Sequence, residues 1–262
     1  AQFFIDSDRM MEAAELLAST RDRQSAENRE IDYSLGMMHF MAGTNRRAVP
    51  HFRSVLEVRD SEVVRSRLAI ALIRLQRFQE AEQEIALMQQ ASGQMTYGLY
   101  ILAATMEEQK AEAASAIGDQ AGFQAARKKF LAALEQANLL EPLELSPYVS
   151  LVDTLLGDYS ISRDPVLLDQ AISVVQRGID RIPDSEVLVA KRADVLEAQG
   201  ELNAAIMDLE QMSRKYPSST AIRERLIVAY LKSDQIDKAQ SAIMDGIALM
   251  PDEGTWYESL GD

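Results

Sequence analysis

Seven times along the chain an alanine stands one helical turn before a large apolar residue. The pairs are Ala13 and Leu17, Ala48 and Phe52, Ala81 and Ile85, Ala126 and Phe130, Ala171 and Val175, Ala205 and Leu209, and Ala239 and Ile243. Successive alanines are 35, 33, 45, 45, 34 and 34 residues apart. In a chain that is 47% hydrophobic, seven apolar hits in seven have a chance probability of about 0.5%. Twelve residues after the last three anchors come Pro183, Pro217 and Pro251, which stop a helix. Apolar residues elsewhere recur at three- and four-residue intervals, and alternating strand-like runs are missing. The sequence therefore predicts an all-α fold in which each anchor opens the second helix of a hairpin.

One amphipathic hairpin cannot bury its apolar face alone, so hairpins of this kind must stack, and small anchor residues let the helices approach closely. Further residues keep the same period. Leu35-Gly36, Leu68-Ala69 and Leu102-Ala103 form a Leu-small pair, Tyr230 is a later aromatic, and Gly43 and Gly200 open turns between helices. On these residues the chain resembles the tetratricopeptide repeat family, whose unit is a 34-residue helix–turn–helix. The resemblance implies an alpha-alpha superhelix: one solenoid over residues 1–262 with about six full repeats. Its expected units are a truncated repeat at 1–28, repeats at 29–61 and 62–95, a repeat with a lengthened hairpin at 96–140, a repeat with a long inter-helix loop at 141–185, repeats at 186–219 and 220–253, and the start of a cut repeat at 254–262.

The two long spacings predict two insertions. Residues 106–117 are rich in strong helix formers, so the first insertion should lengthen a hairpin. The second spans 140–146 and 157–165, where Asp164-Pro165 reads as N-cap and first helical position, and the segment before it is expected to be loop. Ala1 and Phe4 fall on first-helix positions, and Trp256, Tyr257, Leu260 and Gly261 reopen the pattern. The protein is therefore expected to continue in both directions, and cut repeats to fray or self-associate.

Composition narrows the function. Lys plus Arg number 27 and Asp plus Glu 41, a net charge of −14, which argues against nucleic acid and anionic lipid as partners. No segment has the run of about 20 apolar residues needed for membrane insertion. With zero Cys, disulfides, thiolate nucleophiles and Cys-ligated metals are out. The two histidines, His39 and His51, fall on different helices of one hairpin with no third ligand type nearby, so a structural role is expected for them. No phosphate loop, Ser elbow or HExxH motif occurs. No catalytic residue, metal ligand or cofactor is assigned, and the chain reads as a non-enzyme.

The family places partner contacts at set positions of each first helix, facing a concave groove. The resemblance assigns these to Tyr33, Met37, Phe40, Met41, Ile70, Tyr97 and Tyr100 toward the N-terminus, and to Asp153, Asp194, Glu197 and Glu224 toward the C-terminus. An apolar and aromatic wall is expected at one end and an acidic wall at the other. Residues 1–130 carry 16 basic and 18 acidic groups, and residues 131–262 carry 11 and 23, so a partner protein or peptide with a basic segment is expected at the second half. The competing reading is that Met and Tyr pack between hairpins and the carboxylates serve solubility. The family's Lys and Asn clamp for chaperone tails is disfavoured: its places hold Tyr33, Met37, Ser66 and Ile70, and Lys191 and Arg225 look isolated. The reading is a protein-binding scaffold. Alternatives are a periplasmic spacer in a bacterial exopolysaccharide synthesis-export protein and a targeting arm of a larger enzyme, with bacterial cytoplasm or periplasm as the compartment.

Overall fold

A computed structural model describes residues 28–249. The expectations for Ala1, Phe4, Ala13 and Leu17, and for residues 251–262, lie outside the described residues. The chain divides into two compact units, Ala1–Leu140 and Glu141–Asp262.

The described part of unit 1 holds α1 (Asn28–Met41), α2 (Asn45–Val58), α3 (Glu62–Arg74), α4 (Phe78–Ser92), α5 (Tyr97–Ala116) and α6 (Gln120–Leu140). Unit 2 holds α7 (Leu145–Ser162), α8 (Pro165–Arg181), α9 (Glu186–Ala198), α10 (Leu202–Lys215), α11 (Thr220–Lys232) and α12 (Ile236–Leu249). Within each unit every helix packs on the next one along the chain. First helices also touch first helices: α3 meets α5, and α9 meets both α7 and α11. The fold is all-α and made of stacked helical hairpins.

The anchors form the hydrophobic centre. Ala48, Ala81, Ala126, Ala171, Ala205 and Ala239 are at most 6% exposed, and the large residues one turn later are at most 8% exposed. Each anchor methyl leaves room for a neighbouring helix, and the larger side chain fills the space beside it. At 0% exposure, Phe52 contributes roughly 1.5–3 kcal/mol by burial alone.

Caps set the helix limits. The side chains of Thr96, Asp164, Ser185 and Ser219 accept from backbone N–H groups at the starts of α5, α8, α9 and α11. Among the left-handed glycines of the hairpin turns are Gly43 at φ 73° and Gly200 at φ 83°. One repeat further along, the same conformation is held by Gln76 at φ 57° and Asp234 at φ 59°, so the period persists in the backbone where glycine is gone.

The first insertion is helical, and in the second residues 141–144 form a turn while most of 157–165 is helix. The hairpin α5–α6 has arms of 20 and 21 residues, against 13 to 15 in the neighbouring α3 and α4. The expected loop at 157–165 is corrected: α7 runs on to Ser162, and the connection shrinks to Arg163 and Asp164. The hydroxyls of Ser160 and Ser162 donate back to the carbonyls of Gly157 and Asp158 at 2.7 and 2.9 Å, which removes their competition with the helix. Arg163, left-handed at φ 56°, closes the helix through its N–H to Tyr159 at 2.8 Å.

Candidate functional site

Each unit presents a groove on its first helices. In unit 1 the groove lies between α3 and α5, has a volume of about 410 Å³, and its floor is Ile70, Ile73, Leu99, Ile101 and Leu102. Ser66 and Thr105 supply hydroxyls, and Glu62, Arg74 and Gln109 stand at its margins. In unit 2 a groove of about 590 Å³ lies between α9 and α11 and is lined by Asp194, Glu197, Glu224, Arg225, Val228 and Lys232 above small residues.

The structure sorts the residues assigned from sequence. Ile70 lines the first groove. Tyr33 and Met41 are exposed on α1, Met37 is half-buried against the core, and Phe40 is 9% exposed and belongs to that core. Tyr97 and Tyr100 do not line the groove; α5 contributes Gly98, Ile101, Thr105 and Gln109 instead. The cause is a register one residue off. Leu102-Ala103 matched the Leu-small pair, but the buried small residue is Ala104, 2% exposed, while Ala103 is half-buried. In unit 2, Asp194, Glu197 and Glu224 line one groove, and Asp153 is exposed on α7 beside Lys191.

Electrostatics separate the grooves further. In unit 2 the carboxylates meet cations from the next first helix. Lys191 Nζ lies 2.5 Å from Asp153 and 3.7 Å from Asp194. Arg225 pairs with Asp194, and Lys232 with Glu197. Lys191 and Arg225 are therefore not isolated, and the acidic wall is largely neutralised. Of the four carboxylates assigned to it, Glu224 alone has no ion-pair partner among the described residues. Exposed pairs of this kind each contribute less than about 1 kcal/mol.

Unit 1 has the reverse arrangement. Arg74 and Arg67 of α3 lie over the ring of Phe40, at 4.7 and 5.8 Å from its centroid, and the ring meets Phe52 edge-on at 6.1 Å. Neither guanidinium has an ion-pair partner among the described residues, and the buried Nε of Arg67 has no hydrogen-bond acceptor. Stacking on the ring is worth about 0.5–1 kcal/mol for each at such a site. Sequence reasoning missed this pair because it sought contacts at positions facing the groove axis, and Arg67 sits between α3 and α1.

The histidines meet, with ring centroids 5.8 Å apart and an interplanar angle of 13°. Asp32, 2% exposed, accepts from His51 Nδ1 at 2.9 Å and from the Ser54 hydroxyl at 2.7 Å. Thr44 spends its hydroxyl hydrogen on the His39 carbonyl, so at 3.0 Å it accepts from His39 Nδ1. Burial, with the nearby His51 and Arg47, pushes the His39 pKa below its ordinary value. Among the described residues no group of three or more potential ligands is placed to hold a metal ion, and no helix is long and apolar enough to cross a membrane.

Comparison with known proteins agrees with this architecture. A family model described as tetratricopeptide repeat matches residues 196–260. No curated protein matches the sequence. A tetratricopeptide repeat protein from Parabacteroides merdae is 13% identical, with 97% of this chain and 92% of that chain covered at a TM-score of 0.50. A thermophilic protein of the same repeat class from Thermus thermophilus is 15% identical, with 78% and 99% covered at a TM-score of 0.47. At such identity the Parabacteroides likeness speaks to fold alone. The repeat model matches within unit 2, and the stacked hairpins of both units are similar in fold to tetratricopeptide repeat proteins.

Proposed function

We propose that this chain is a non-catalytic scaffold that holds a segment of a partner protein in the groove between α3 and α5. Tetratricopeptide repeats generally serve protein–protein interaction, and no catalytic domain is identified here. The observation that carries the reading is a groove with half-buried Ile70 and Ile101 on a floor of buried Ile73, Leu99 and Leu102, while the anchors behind it are sealed. A preorganised groove lowers the ordering cost that a partner must overcome. A photo-cross-linking side chain at Ile70, compared in the cells that make the protein with one at Leu87 on the exposed side of α4, tests it. A discrete adduct is expected at position 70. Adducts at 87 with none at 70 would move the interaction off the groove.

A further inference from the structure

We propose that the partner segment received by unit 1 is acidic. Its side-chain carboxylates settle on Arg67 and Arg74, and a neighbouring apolar side chain enters the α3–α5 groove. This deepens the scaffold reading and rests on it. The chain holds 41 acidic residues against 27 basic ones, and many of its cations meet carboxylates. Elsewhere in unit 1, Arg53 and Arg77 pair with Glu80, Arg65 with Asp60 and Glu84, and Lys110 with Glu82 and Glu107. In unit 2 the groove cations Arg225 and Lys232, and Lys191 on α9, are all paired.

Arg74 at the groove margin and Arg67, between α3 and α1, differ from these. They stand two turns apart on α3, stack over one buried ring, and have no ion-pair partner among the described residues. Guanidiniums held on a ring have already lost much of their side-chain freedom, and their planar fork matches a carboxylate. Arg74 also borders the apolar groove, so charge and apolar recognition adjoin. Neither arginine occupies the places of the family's chaperone-tail clamp, which hold Tyr33, Met37, Ser66 and Ile70.

The test is selection from a random short-peptide library displayed on phage, using the full chain. Fluorescence anisotropy of the enriched peptides then compares the wild type with R67Q/R74Q, the exposed single variant R74Q, R67K/R74K and the groove-filling I70W. Expected are peptides with Asp or Glu beside Leu, Ile or Phe. Their affinity should fall about tenfold or more in R67Q/R74Q and in part in R74Q, recover partly in R67K/R74K, weaken with salt, and be blocked by I70W. Neutral or basic peptides blocked by I70W but indifferent to R67Q/R74Q would overturn this inference and leave the groove reading standing. Peptides indifferent to I70W, or no enrichment, would overturn both. Sedimentation of the chain alone runs alongside: a dimer dissolved by R67Q/R74Q would give the face to a second copy and overturn the inference.

Discussion

The two grooves are built on equivalent helices yet use charge in opposite ways. In unit 2 each cation of the groove answers a carboxylate on a first helix, and the surface is close to neutral despite the acidic sequence around it. In unit 1 the first helices place two arginines over an aromatic ring and leave them without carboxylates. Net charge over a stretch of sequence therefore says little about the face a partner meets. What decides is whether opposite charges fall one repeat apart, because that distance along the chain becomes contact in space.

The comparison requires that each unit keep its own core, and the largest effects test that. Phe52→Ala should cost unit 1 about 3–5 kcal/mol, and Leu209→Ala should cost unit 2 about 2–5 kcal/mol, by lost burial and the cavity left behind. Both side chains are at most 1% exposed. Hydrogen exchange by segment should accelerate over α2–α4 in the first variant and over α9–α11 in the second. Equal acceleration across both units in either variant would break the division.

A smaller effect tests how tightly each unit packs. A Cβ on Gly36 would meet Phe52 ring carbons at 2.7 and 2.8 Å, and that ring is sealed. Gly36→Ala should therefore destabilise by about 1–3 kcal/mol despite alanine's better helix propensity. At Gly178 the new atom would lie 3.0 Å from Leu188 and 3.2 Å from Tyr148, so Gly178→Ala should stay within about 1 kcal/mol of the parent, the helical gain offsetting the crowding. Thermal melts of the two variants read the contrast, which a fully tolerated Gly36→Ala would remove.

Much of the fold was legible because the anchor pattern couples one helical turn to a repeat near 34, and nothing but stacked hairpins satisfies both. Two elements escaped for local reasons. In α5 adjacent alanines stand at 103 and 104, and burial, which sequence does not report, picks the second, so the expected tyrosines rotated away from the groove. At 157–162 glycine, serine and aspartate read as loop, but the two serines satisfy themselves within the helix. The neutralised wall had a readable signal that net charge concealed: Asp194 and Arg225 are 31 residues apart, and Glu197 and Lys232 are 35 apart. The arginine pair had none, because its partner Phe40 was taken for a groove residue rather than a buried ring.

Acid should weaken unit 1 before unit 2, since His39 lies in unit 1. Burial and the neighbouring His51 and Arg47 lower the His39 pKa below 6.5, so the folded state binds fewer protons than the unfolded chain. Its stability is then full above 6.5 and falls as pH drops through that value, with a slope of at most about 1.4 kcal/mol per pH unit for one proton. Carboxylates held low, such as Glu80 beside Arg77 and Glu210 beneath the Tyr230 hydroxyl, contribute losses at lower pH, in unit 1 and unit 2 respectively. Between these ranges, exchange in α1 and α2 should speed up selectively, and His39→Gln should flatten the response. An unchanged slope in that variant would assign the effect elsewhere.

The smallest expected change in stability is the most direct test of the contrast between grooves. Asp194→Asn with Glu197→Gln removes the partners of Arg225 and Lys232, and because those pairs are partly exposed the loss should stay near about 1 kcal/mol. The consequence for recognition should be larger than that for folding. The freed cations border a groove of about 590 Å³, so an acidic peptide that binds unit 1 through its arginines should gain a second, weaker site on the double variant. The site should be visible as added stoichiometry in calorimetry and vanish when Arg225 and Lys232 are also neutralised. If the double variant stays folded and gains no site, unpaired cations beside a groove are not enough, and the ring beneath Arg67 and Arg74 becomes the decisive difference. If it unfolds unit 2 by several kcal/mol, the ion pairs hold the repeats together and the neutral wall is part of the fold.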